Sequence, residues 1–129
     1  MQGIRVRVVA AWAVAMLLAL FFIQTGPGKL NPSPALIERF DAWGYSRGLA
    51  QAIGVVETTG AMIVLVPSLA AYGAWMLAIV MVGAIYTHLS TGIGSPESAA
   101  RMLVLAGALI ALRAQDAQPL RRTRRTDPA

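Results

Sequence analysis

Four apolar runs dominate the chain: Val8 to Ile23, Leu49 to Val66, roughly Ala74 to Leu89, and Met102 to Leu112. A helical membrane pass needs about 20 mostly apolar residues, and these four runs leave little chain over. The pattern predicts an all-α fold, an integral membrane four-helix bundle with a short interfacial helix between spans 1 and 2. The separators carry the turn signals. In "NPSPALIERFDAWGY", Ser33 is placed as N-cap, Pro34 at the first helical position and Gly44 past the end. Leu36, Phe40 and Trp43 share one face of that segment, apart from Glu38, Arg39 and Asp41, as suits a helix lying in the membrane interface. Ser46 is the expected cap of the second span, which ends at Pro67. Only Ser68 to Gly73 separates it from the third span, which demands an antiparallel hairpin. Ser95 and Pro96 open the last helix, whose apolar run is only about 17 Å long. Arg101 and Arg113 bracket that run and are expected to snorkel outward and inward to complete the span. Glu97 lies one helical turn before Arg101, a favourable pairing. Ala11, Ala15 and Ala19 recur every four residues, either as a small-residue stripe for a neighbouring helix or because alanine is common in this chain.

Composition strengthens the membrane reading. Only 13% of residues are charged and 57% are apolar, against about 25% charged in soluble domains. The absence of cysteine excludes disulfides, thiol relays, Cys-ligated zinc and iron–sulfur centres. A single histidine excludes bis-histidine haem within one chain, and Met62, Met76, Met81 and Met102 read as packing, so no metal site is expected. The basic start and apolar centre of the first run also suit a signal peptide, but the run is long and "FFIQTGPGKL" supplies no cleavage site, so a retained helix is expected.

Arg5, Arg7, Arg113 and the four arginines at 121, 122, 124 and 125 fall on one side of a four-span model; Lys29, Arg39, Arg47 and Arg101 fall on the other, offset by nearby acids. The positive-inside rule therefore places both termini in the cytoplasm. Trp12, Tyr72 and Trp75 would form an inner aromatic belt, and Trp43, Tyr45 and Tyr86 an outer one. Residues 1–116 are expected to form the membrane domain and 117–129 a basic, disordered cytoplasmic tail. That tail suits anionic lipid headgroups, and no nucleic-acid partner is expected.

One residue interrupts the second run. Glu57, in "GVVETTGAMIVLVP", sits where an ionised carboxylate is costly unless paired. It lies about 12 Å along the helix from Leu49, in the outer half of the membrane and near its middle. Lys29, just beyond the first run, and His88, near the end of the third, belong to the same half. These three are the candidate buried polar or ligand-binding cluster, and long side chains could bring at least two of them together.

The ordered set of Gly26 and Lys29 in "TGPGKL", the segment ending at Gly44, Glu57 with Gly60, and His88 resembles the DoxX family of small four-helix membrane proteins. The resemblance spans roughly residues 5 to 112. It implies a multi-pass bacterial inner-membrane protein, associated in some members with thiosulfate:quinone oxidation or with oxidative-stress partners. Lys29, Glu57 and His88 match the family's recurrent polar positions, and the resemblance assigns no catalytic residue.

Several roles for Glu57 remain open on this basis. It could be a structural anchor, paired with Lys29 or protonated and bonded to Thr58, Thr59 or a neighbouring helix. It could line a pocket with His88 for a quinone or lipid headgroup, making the chain an accessory subunit of a membrane-associated, quinone-linked oxidoreductase or an oxidative-stress complex. Quinone is then the candidate ligand, with no covalently bound cofactor. A small proton-coupled transporter is the next reading, though small multidrug exporters carry their glutamate on the first helix. A chaperone or scaffold role, or a homo-oligomer, completes the set, and whether the chain is an enzyme stays open.

Overall fold

A computed structural model describes residues 2–114, which form five α-helices and no strand among the described residues. They are α1 (Gln2–Leu30), α2 (Pro34–Ala42), α3 (Arg47–Ile63), α4 (Ala70–Thr91) and α5 (Glu97–Arg113). The expected tail at 117–129 lies outside the described residues.

The caps act as the sequence predicts. The Ser33 hydroxyl accepts from the Leu36 N–H at 3.3 Å and Ser46 accepts from Leu49 at 3.2 Å, so each satisfies an N–H that has no helical partner. Gly44 has φ 81° and ends the α2 segment. Gly92 closes α4 with φ 67°, its N–H bonded to the His88 carbonyl, a conformation that glycine adopts without a Cβ clash.

Element lengths depart from expectation. The first helix is longer than Val8–Ile23 and continues through Pro27 to Leu30. The second ends at Ile63 instead of Val66, with the chain turning through Val64 and Leu69. Pro67 has no N–H to donate and disfavours helical geometry at Val66, so the last turn unwinds before it. The third helix begins at Ala70, inside the segment expected to be a turn. Two helices, α1 and α4, are long and apolar enough to cross a membrane, while α3 and α5 have 17 residues each.

The four long helices form a closed ring in which α1 packs on α3 and α5, and α4 packs on α3 and α5; α2 rests against α3. Short connections make α3–α4 and α4–α5 antiparallel. The core is mostly small or branched: Ala11, Ala15, Leu18, Phe22, Ala74, Leu77, Ala106 and Leu109 are all at most 1% exposed. The Ala11–Ala15–Ala19 stripe faces inward.

Glycine brings α1 and α3 closest together. A Cβ on Gly54 would lie 2.8 Å from the Gly26 carbonyl oxygen and 2.9 Å from the Lys29 Cβ, and one on Gly26 would lie 2.6 Å from the Thr58 hydroxyl. Only hydrogens fit at this crossing, and it sets Lys29 beside Glu57.

At the end carrying Gln2 and Ala114, Arg113 departs from the snorkelling expected of it. It is 6% exposed, with its guanidinium 5.5 Å from the Trp12 ring centre. Cation–π attraction and the apolar stem favour this inward pose. Arg101 does stay exposed, paired with Glu97. Trp12, Tyr72, Trp75 and Tyr86 are exposed, whereas Trp43 and Tyr45 turn partly inward.

Candidate ligand cavity

Glu57 is 2% exposed, and its Oε2 lies 2.7 Å from the Lys29 Nζ. The Lys29 side chain is 18% exposed, so the ammonium lies at the margin of the buried region. It also approaches the Thr25 carbonyl at 3.5 Å. Desolvating two charges costs several kcal/mol per ion, and close contact offsets that cost only while both partners stay in place. Of the structural roles open in the sequence for Glu57, pairing with Lys29 is the one the geometry realises; Glu57 makes no bond to Thr58 or Thr59 among the described residues. The Gln51 side chain reinforces the same crossing by donating to the Leu30 carbonyl at 3.2 Å.

His88 stands apart from that pair. Its Nδ1 lies 2.8 Å from the Ile93 carbonyl oxygen, and its ring meets Trp43 edge to face at 5.2 Å. The Trp43 Nε1 donates to the same carbonyl at 3.4 Å. A Cβ on Gly94 would lie 2.9 Å from the imidazole, and Gly94 has φ 79°, so the loop fits the ring only with glycine there. The histidine thus ties α2 and the 92–96 loop to the end of α4. Lys29 and Glu57 are brought together, and His88 is held separately on another wall of one cavity.

That cavity has a volume of about 890 Å³ and takes wall residues from all five helices. Phe21, Ile53, Val80 and Met81 give it apolar sides, and Leu36 and Phe40 reach it from α2. Phe40 is 4% exposed and packs on Trp43 and Tyr45, with ring centres 5.2 and 6.3 Å apart. The Leu36–Phe40–Trp43 face predicted for membrane contact therefore turns toward the bundle and covers the cavity.

Three polar residues of this region do not stand out in the sequence. The Tyr45 hydroxyl bonds to the Thr87 hydroxyl at 2.8 Å, and Thr87 donates to the Gly83 carbonyl at 2.9 Å. Thr25 also lines the cavity, and its hydroxyl is buried with no hydrogen-bond partner among the described residues. One signal was available for Thr25, which stands one helical turn before Lys29. The sequence places Tyr45 only in the outer aromatic belt, and nothing local pairs it with Thr87. No group of three or more His, Cys, Asp or Glu side chains suited to a metal ion occurs among the described residues.

A family description matches residues 13–112, from the first turn of the Ala11–Ala19 stripe to the last turn of α5 and across every helix that walls the cavity. The chain belongs to the DoxX-like family. The match includes Lys29, Glu57 and His88, and together with the two long apolar helices it points to a membrane protein. No curated protein and no solved structure matched this DoxX-like chain.

Proposed function

We propose that this DoxX-like protein is a four-span inner-membrane subunit that holds a quinone-type ligand in the cavity, serving a membrane redox or oxidative-stress complex. The observation that carries the reading is a cavity with apolar walls and a few convergent polar groups. Its volume of about 890 Å³ lies within the range typical of small-molecule sites, roughly 300–1,000 Å³. A quinone ring suits the apolar walls, and its carbonyl oxygens need donors. The unpartnered Thr25 hydroxyl and the Lys29 ammonium can supply them. An isoprenoid tail would lie among the helices or in lipid.

The four-span reading is supported by the outer surface. Leu17 and Leu20 of α1, Val55 and Met62 of α3, Ile79 and Val82 of α4 and Val104 of α5 are all 54% or more exposed. Apolar side chains on the outside of all four long helices suit lipid far better than water. Although α3 is 17 residues long, the apolar turn that follows it adds depth. The arginine asymmetry supports cytoplasmic termini.

Trp43 lines the cavity, whereas Trp12 and Trp75 do not. In a Trp12→Phe, Trp75→Phe variant, a short-chain benzoquinone should quench the remaining tryptophan saturably. Quenching that rises linearly, as for free tryptophan in the same detergent, would overturn the ligand reading.

A further inference from the structure

The outer face of α1 carries a second feature that the cavity does not use. Ala13, Leu17, Leu20, Gln24 and Pro27 are all exposed, and they follow one another at alternating steps of four and three residues. That spacing is the 3.5-residue seam along which two helices pack in parallel or antiparallel pairs. Four of the five residues are apolar. Gln24 is not.

Gln24 makes no hydrogen bond among the described residues. It lies about 18 Å along α1 from Trp12 and about 9 Å from Leu30 at 1.5 Å per residue. In the four-span arrangement this depth is within the hydrocarbon layer, where an amide has no water to bond. A side chain with two donors and two acceptor lone pairs is poorly suited to lipid. Neither α3 nor α5 reaches it, since both pack on the opposite side of α1, where Ala11, Ala15, Leu18 and Gly26 are buried.

We infer that this face is the interface of a homodimer in which Gln24 of one chain hydrogen-bonds Gln24 of a second copy across a two-fold axis. The carboxamide is its own complement, because each copy offers N–H to the other's C=O, and an isologous contact needs that property. The flanking Leu17 and Leu20 would pack with their counterparts, while Ala13 allows close approach. Interhelical amide bonds fix such seams in membranes, as a single polar residue fixes register in soluble coiled coils. A chain of other sequence would need its own matching amide at the same depth; a second copy has it automatically.

The inference rests on the four-span reading, and one experiment separates them. The natural chain has no cysteine, so Leu20→Cys introduces a lone thiol on the seam. Ile79→Cys does the same on the exposed outer face of α4. In membranes of cells expressing the full chain, mild oxidation should give a covalent dimer for Leu20→Cys and far less for Ile79→Cys. Adding Gln24→Leu to Leu20→Cys should lower the dimer yield about threefold to tenfold, the effect of losing one or two interhelical hydrogen bonds. Equal cross-linking at both positions, or no effect of Gln24→Leu, overturns the dimer. A chain that cross-links poorly yet resists carbonate extraction overturns the dimer alone. A chain that carbonate releases overturns the four-span reading as well.

Discussion

At the end of the bundle where α1 begins and α5 finishes, the helices meet through small side chains. Ala11, Ala15, Ala74 and Ala106 are at most 1% exposed, with Leu77 and Leu109 at 0% between them. At the other end, the same helices frame a cavity of about 890 Å³, walled in part by aromatic residues and containing an ion pair and the orphaned Thr25 hydroxyl. The first arrangement gains its stability from dense van der Waals contact. The second gives up such contact and keeps its shape through a few specific devices: the Gly26–Gly54 crossing, the Lys29–Glu57 pair and the Tyr45–Thr87 bond. In this chain, stability and the candidate site are assigned to opposite ends of one set of helices. Substitutions at the cavity end should therefore act through those devices and not through bulk packing.

The largest effect is expected at the ion pair. Lys29→Ala leaves the Glu57 carboxylate buried and uncompensated and should cost about 3 kcal/mol of stability. Combining it with Glu57→Gln removes both charges and should recover most of that loss. Thermal unfolding in detergent above neutral pH measures both, and additive single and double substitutions would show that the pair contributes no coupling.

The next largest effect distinguishes a packed glycine from an open one. Gly54→Ala forces a Cβ to within 2.8 Å of the Gly26 carbonyl oxygen. It should destabilise the fold by about 2 kcal/mol, even though alanine is the better helix former. Gly107 on α5 has nothing within 4 Å of its would-be Cβ, so Gly107→Ala should be neutral or stabilise by up to about 1 kcal/mol. Denaturation midpoints that move together would remove the special role of the α1–α3 crossing.

A smaller change is expected from Tyr45→Phe, which removes the bond to Thr87 but leaves Thr87 bonded to the Gly83 carbonyl. The loss should be about 1 kcal/mol. Hydrogen exchange should speed up in α2 and the 92–96 loop, with little change in the amides around Ala74 and Leu77. Uniform acceleration through all helices would contradict the division between the two ends.

The contrast also explains what the sequence could reveal. Ser33, Pro34, Gly44 and Ser46 act on neighbours within a few residues, so the bounds of α2 and the start of α3 were legible. The Ala11–Ala15–Ala19 face and the Glu97–Arg101 pair follow from helical spacing alone. Lys29 beside Glu57 was legible as one of several pairings, because a buried acid demands a partner and few cations share its level. The reach of α1 was not, since its apolar run stops at Ile23, while packing on α3 keeps the helix intact to Leu30. Nor was the end of α3, where Val64 to Val66 continue the apolar run past the last helical turn. Arg113 against Trp12, Tyr45 with Thr87 and the separation of His88 from Glu57 depend on contacts far apart in sequence. No local pattern encodes them.

The most direct test of the cavity as a ligand site uses Gly83, which lines it and has open space where a Cβ would stand. Gly83→Leu fills part of the cavity without meeting a neighbour at the Cβ and improves helix propensity, so the unliganded protein should melt at or above the parent temperature. A short-chain quinone at about 100 times its dissociation constant should stabilise the parent by about 2.7 kcal/mol, seen as a raised melting temperature. The same quinone concentration should leave Gly83→Leu unmoved. Equal upward shifts in both proteins would mean that the quinone binds elsewhere and would contradict the account.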